Sequence, residues 1–409
     1  MKGTFSMLRK AMLRSAVMGL LLAISVFLPV ILLATQHHAD AAAPAHIVPS
    51  VCHGWQVANA PDPGTTGYLN GVAAISATDS WAVGSSITSG VGQTLVEQWN
   101  GTSWNVVPSP NSSSTVNGLT AVSAHSATDI WAVGEAGSTS VVPLIEHWNG
   151  TEWSIVSSPS VNSQTTILAA VMAISQTNAW IVGWYDDPST GLGTTLIEHW
   201  NGKAWKIVQS ANVTGNNSYL EGVTALSATD IIAVGYDNNP VNPDVTNQTL
   251  VEQWNGTAWN IVKSPSPGTD VNYLAGATGR AKTGQAWVVG YAEGGNDNGP
   301  QTLIEQWSGT SWTVMNSPNP GSIDNWLESV SAASTNNIWA VGYDTSYGVE
   351  PTLIEHWNGT TWKAVSSPSP GVINKLSAVA AVSGTAAAFA VGTDWNNQGN
   401  AQPLIEVHC

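Results

Sequence analysis

Seven glutamates stand at equivalent places along the chain: Glu97, Glu146, Glu198, Glu252, Glu305, Glu355 and Glu406, each in a run such as Leu144-Ile-Glu-His-Trp148. A carboxyl in such a slot could serve as a general acid or base. That chemistry needs one or two carboxyls whose surroundings push their pKa values apart. Seven copies in seven matching contexts point instead to hydrogen bonds with backbone or turn groups inside each repeat. His147, His199, His356 and His408 occupy the same runs. They fall on different repeats, too far apart to share a metal, and no spacing of His, Cys and carboxylate resembles a zinc site. There is no Gly-x-Ser-x-Gly elbow, phosphate loop or calcium loop. The reading predicts no metal, no cofactor and no catalytic residue.

The aromatic residues are more selective. Of 21 tryptophans, 18 fall in three repeating slots. Trp184, Trp326 and Trp395 do not, and neither do the tyrosines Tyr68, Tyr185, Tyr219, Tyr236, Tyr273, Tyr291, Tyr343 and Tyr347. Asp186, Asp187, Asp237, Asp344 and Asp394 lie beside them, as do Glu293 and Asp297 in the longest Gly/Asn-rich loop. Aromatic rings next to carboxylates and amides suit a sugar face or a protein partner, for which Tyr and Trp are favoured anchors. The predicted ligand-binding set is Trp184, Tyr185, Asp186, Asp187, Tyr236, Asp237, Tyr291, Trp326, Tyr343, Asp344, Asp394 and Trp395. The alternative is an extracellular hydrolase or lyase, with Asp186, Asp187, Asp237 and Asp344 as its candidate acids.

The elements that position these residues are legible in one repeat. Leu119-Thr-Ala-Val-Ser-Ala124 reads as strand a, and Ser126-Ala-Thr-Asp129 as a turn. Ile130-Trp-Ala-Val-Gly134 reads as strand b and Leu144-Ile-Glu-His-Trp148 as strand c. Asn149-Gly150 is a hairpin turn, since both residues tolerate positive φ. Trp153-Ser-Ile-Val156 is strand d, ended by Ser158-Pro159 because proline cannot donate to a ladder. The unit recurs seven times at about 50-residue spacing, the signature of a propeller or a solenoid. Four short antiparallel strands per unit predict an all-β, seven-bladed propeller. In it the b–c and d–a loops emerge on one face, so the extra aromatics and acids gather around one channel mouth.

The termini are out of phase with the repeats. The first unit opens with a lone strand d from Trp55, and the last stops after strand c, Leu404 to His408. Pairing of these two strands would close a ring. Cys52 and Cys409, the only two cysteines, stand where other units have the turn Gly and Asn. In an exported chain they are expected to form a disulfide that pins the ring shut.

Basic residues up to Arg14 precede an apolar run from Ser15 to about Thr35, followed by Ala39-Asp-Ala41. Residues 1–41 therefore read as a signal peptide or an N-terminal membrane anchor, 42–51 as a short linker and 52–409 as the propeller. The expected location is secreted or cell-surface, with membrane contact only through an uncleaved N-terminal segment. The formal net charge is −16, and four of the eleven basic residues lie within the first 14 positions. Nucleic acid is excluded as a partner, because a phosphate-binding surface needs clustered Lys and Arg.

Strand b with its Gly, strand c with Glu, a turn, a Trp and a Ser-Pro exit together resemble the kelch repeat, across all seven units. Gly134 is followed by Glu135 and Gly235 by Tyr236, where kelch units carry a second glycine. The resemblance implies a seven-bladed propeller with a binding role and no particular ligand. Gly101-Thr-Ser-Trp104 is a fainter likeness to the sialidase Asp box, with Trp99 where the box has Asp. Sialidases use an arginine cluster, whereas Arg280 is the only arginine after Arg14. Galactose oxidase, a copper enzyme on a kelch-type propeller, needs a Cys–Tyr crosslink, and both cysteines here are assigned to closure.

Overall fold

A computed structural model describes residues 54–241, 247–294, 299–346 and 348–409. The N-terminal segment, the linker, Cys52, Asp297 and Tyr347 lie outside the described residues. The described residues form 28 strands and no helix, arranged as seven antiparallel four-stranded sheets. Six sheets take four consecutive strands each. One such blade runs Asn217–Ser227 (a), Asp230–Asn238 (b), Gln248–Trp254 (c) and Trp259–Ile261 (d). The seventh takes Ile373–Ala381, Ala388–Trp395 and Ala401–His408, and completes itself with Trp55–Ala58 from the other end of the chain. Trp55 pairs with His408 and Ala58 with Ile405. The innermost strands of successive blades contact one another, and the first, Thr66–Ser76, meets the seventh. The ring is closed as a seven-bladed propeller.

The blades are held together by indole packing. The strand-b Trp of one blade inserts against the c and d tryptophans of the next. Trp131 lies 4.9 Å from Trp200 and 5.0 Å, edge-on, from Trp205. At the closing joint Phe389 of the seventh blade takes this role against Trp99 and Trp104 of the first. Each such pair adds about 0.5–1.5 kcal/mol beyond its area burial. The strand-c histidines belong to the same scaffold. The His147 and His356 rings lie over Trp131 and Trp339 while bonding Asp129 and Asn337. Among the described residues no group of three or more His, Cys, Asp or Glu is placed to hold a metal.

The seven repeated glutamates are fully buried. Their hydrogen bonds run between blades, rather than within each blade as the repeat alone suggests. In five blades the serine that follows strand d donates to the glutamate of the following blade: Ser109 to Glu146 and Ser158 to Glu198 at 2.8 and 2.7 Å, then Ser210 to Glu252, Ser264 to Glu305 and Ser317 to Glu355, whereas Ser367 bonds Thr352 instead. The exit preceding Glu97 has Ala60 in place of serine, and both Glu97 oxygens lack a partner. Burial raises every one of these carboxyls from the ordinary 4.5, to about 7 in Glu146, Glu198 and Glu252 and about 8 in Glu97, Glu305, Glu355 and Glu406. Burial between blades thus favours the neutral form of each.

Each b strand runs through its glycine rather than ending there. A Cβ on Gly235 would lie 2.0 Å from the Tyr219 carbonyl oxygen, and the other six repeat glycines face the same carbonyl at 1.8–2.0 Å. The a–b register slips by one residue at this point in every blade, as between Leu220 and Gly222. The slip is a β-bulge, and the glycine is what lets the bulged backbone approach.

Two outcomes follow from this packing. Gly235→Ala must push the bulge away or unpair it, and is expected to lower unfolding free energy by about 1–3 kcal/mol in a denaturant titration. The neutral glutamates bind protons in the folded chain that the unfolded chain has released above about pH 4.5. Stability is therefore complete below that value and is lost as pH rises through about 8. Calorimetric melting temperature should fall between about pH 5 and about pH 9, less steeply in Glu97→Gln.

Candidate functional site

Each bulge turns one residue of strand a toward the axis. In chain order these are Asn70, Thr120, Ala169, Glu221, Ala275, Glu328 and Ser377. All seven keep partial solvent exposure although they sit on the innermost strands, so they line a channel. Asn70 and Thr120 donate to the Leu119 and Leu168 carbonyls of the next blade. The channel wall carries two carboxyls, Glu221 and Glu328, with only Ala275 between them. Neither stands out in a search for catalytic motifs. The signal that would have found them is positional: they occupy the one slot of strand a that varies directly after an unvarying leucine.

Above the bulges the strands continue farther than the hydrophobic pattern indicates. The selected aromatics, expected in b–c and d–a loops, lie on these extensions. Trp184, Tyr236, Tyr291 and Tyr343 end b strands and Tyr219, Tyr273 and Trp326 begin a strands. Facing aromatic pairs, Tyr219 with Tyr236, Tyr273 with Tyr291 and Trp326 with Tyr343, extend the ladders. They also run together into one arc. Trp184 meets Tyr219 edge-on at 5.1 Å between centroids. Tyr219 stacks on Tyr236 at 4.9 Å, which lies 4.9 Å from Tyr273. Tyr273 stacks on Tyr291 at 5.1 Å, which meets Trp326 at 6.4 Å; Trp326 then stacks on Tyr343 at 4.7 Å. The arc ends where Lys375 takes the aromatic slot of the seventh blade and sets its ammonium 4.3 Å above the Tyr343 ring. Seven rings thus line one side of the mouth, across the third to the sixth blade.

The remaining predicted residues divide. Trp395 pairs with Tyr68 at 6.3 Å, at the joint between the seventh and first blades and apart from the arc. Tyr185 packs against the hydrophobic core between the second and third blades. Asp187 caps its own loop through Ser189 and Thr190, which holds its carboxyl below the usual range. Asp186 is exposed. Asp237 and Asp344 are buried and raised by desolvation, bonded to Asn216 and Ser346 respectively, and desolvation also raises the half-buried Asp394. Three of the four candidate aspartates thus bond loop residues.

The loops of this face are fixed by buried asparagines that pattern reading passed over. Asn272 accepts from the Gly268 amide and donates to the Gly268 and Asn247 carbonyls, and so ties one blade's d–a loop to the preceding b–c loop. Asn117 and Asn374 repeat the arrangement.

Glu221 and Glu328 each retain some accessible surface yet are ringed by protein. Burial raises Glu221 to about 8, with the nearby Glu328 charge adding to the shift, while a hydrogen bond to Tyr273 opposes it. Burial raises Glu328 as well, and Lys375 pulls it back. The Tyr219, Tyr236, Tyr273 and Tyr291 phenols all feel the Glu221 charge and are all pushed above the ordinary tyrosine value, chiefly by desolvation. The mouth is a set of aromatic walls over two carboxyls, with one cation at its end.

No protein-family model matches the chain, and no curated protein matches it. Among solved structures it is similar to YCF48 bound to D1 peptide, at 16% identity and a TM-score of 0.53, covering 90% of this chain and all of that one. It is also similar to an ulvan lyase, a polysaccharide lyase solved with a bound saccharide, at 9% identity and a TM-score of 0.50, covering 80% of this chain and 89% of that one. At these identities the likeness is one of fold, and it places the chain among β-propellers.

Proposed function

We propose that this chain is an exported binding propeller of kelch-like strand order that engages a peptide or protein segment on the face carrying the b–c and d–a loops. The observation that carries the reading is the aromatic arc. Seven rings outside the repeated tryptophan slots are gathered on one side of one channel mouth, beside loops fixed by buried asparagines, and all but the buried Tyr236 are partly open to solvent. Prepositioned aromatic surface of this kind costs little ordering on binding. A propeller of similar fold has been solved with a peptide bound, which agrees with the reading. Export rests on the basic and apolar N-terminal segment with its Ala39-Asp-Ala41 site. The Cys52–Cys409 disulfide belongs to the same proposal; Trp55, three residues after Cys52, pairs with His408, the neighbour of Cys409.

A second reading, a carbohydrate-active enzyme, is favoured by one observation: two raised carboxyls face the channel. It runs through Glu221 and Glu328 in place of the four aspartates.

Panning a displayed random-peptide library over the immobilised chain tests the main reading. Selected peptides should bind the wild type and lose about tenfold or more in affinity to Trp326→Ala. Equal binding to that variant, or no enrichment, sinks the idea; release of new sugar ends from a polysaccharide panel, lost in Glu221→Gln, moves the assignment to the enzyme. For closure, Cys409→Ser should lower the melting temperature in oxidising buffer by several degrees and change nothing in reducing buffer.

A further inference from the structure

We propose that the channel wall at Glu221 is a binding site for an organic cation, the ammonium or guanidinium end of a basic side chain on the ligand. The inference rests on the reading of this face as a binding surface and names the chemistry that the face selects.

Three observations carry it. The first is the orphaned oxygen: Glu221 Oε1 is closed off from bulk solvent and has no hydrogen-bond partner. An unpaired acceptor in such a place costs free energy that a donor would recover. The second is the wall around it. The Tyr273 hydroxyl bonds the same carboxyl, and the Tyr219, Tyr236 and Tyr291 phenols lie within its field. Ring faces and carboxylates together favour a cation over an anion or a neutral group. The third is supplied by the chain itself. At the end of the arc the same constellation already holds a cation: Lys375 sits over the Tyr343 ring, 3.4 Å from Glu350, and draws down the Glu328 carboxyl. Glu328 therefore has an internal counter-charge. Glu221, two blades away, is given none: besides Lys375, the basic residues of the propeller are Lys203, Lys206, Lys263, Arg280, Lys282 and Lys363, and none lies on this arc. Arg280 is committed to the Ala332 and Ala333 carbonyls on the turn side. A ligand cation at Glu221 would reproduce beside Tyr219, Tyr236 and Tyr273 what Lys375 does beside Tyr343.

Binding has a proton balance. The buried Glu221 carboxyl is mostly protonated near neutral pH, with its value at about 8. A cation that pairs with the carboxylate displaces that proton to solvent. The other titratable groups facing the site are Glu328, Tyr219, Tyr236, Tyr273, Tyr291 and Lys375; the four phenols are pushed upward, away from neutrality. Affinity for a cation should therefore rise between about pH 6 and about pH 9, with proton uptake by the buffer.

The experiment is titration calorimetry of the full chain with tetra-arginine amide, with tetra-citrulline amide as its uncharged counterpart, and with butylguanidinium as the free cation. Tetra-arginine amide is expected to bind about tenfold or more tightly than tetra-citrulline amide. Glu221→Gln should abolish the preference and the proton release at an unchanged melting temperature, while Asp270→Asn, an exposed acid off the arc, retains both. Competition by butylguanidinium alone identifies a free-cation site; binding by the peptide without such competition assigns the cation to a peptide ligand. Equal affinity for both peptides, lost in Trp326→Ala, overturns the cation and leaves the aromatic face as a binding surface. A preference that survives Glu221→Gln reports only the negative surface and overturns the site. Binding of neither peptide overturns it as well.

Discussion

The close approach of a strand-a carbonyl to a strand-b glycine is the constraint on which the structure turns. With no side chain at Gly235, the Tyr219 carbonyl occupies the place of a Cβ, and strand a gains a residue. Because side chains alternate with a period of two, one extra residue reverses every later assignment of face. Downstream of the bulge the strand feeds the core, as Val223 does. At the bulge it feeds the channel, and upstream it feeds the aromatic arc. One backbone device, used seven times, separates scaffold from site along a single strand.

That separation explains why the same residue types behave so differently. Glu252 and Glu221 lie in one blade and both are raised by burial. Glu252 receives the Ser210 hydroxyl, shared between its two oxygens, and the Ala211 amide, and is sealed between blades. Glu221 faces the channel with an oxygen left over. Likewise Trp131 is locked under a histidine and two indoles, whereas Trp326 stacks on a tyrosine at the mouth. Chemistry at a repeat position is decided by which side of the bulge it falls on.

Much of the fold was legible because its signals are local and repeated seven times. The Asn-Gly turns, the Leu-Ile-Glu-His-Trp run and the unmatched end strands were enough to count blades and to close the ring. The aromatic part of the site was legible as a break in repetition: Trp184, Tyr236, Tyr291, Trp326 and Tyr343 have no counterparts in every blade. Asp186, Asp187, Asp237 and Asp344 sit beside those aromatics in sequence, but alternation along a strand sends neighbours to opposite faces; the Asp187, Asp237 and Asp344 carboxyls bond loop residues and Asp186 is exposed. Glu221 and Glu328 were hidden because the bulge breaks the period that pattern reading relies on, and the blade-to-blade serine bonds because they join residues about 40 positions apart, as Ser158 and Glu198 are.

The seventh blade is shared by the two ends of the propeller, and this gives the protein an order of assembly. Of the described strands the first, Trp55–Ala58, has its partner in the last, Ala401–His408, so it must wait for the whole sequence between them. That blade also carries Lys375, the internal cation of the channel mouth. An unfinished or shortened copy would therefore present an open arc with an unmatched charge and two bare sheet edges. The channel mouth with its lysine becomes whole only when the ring does, which makes closure a built-in check on completeness.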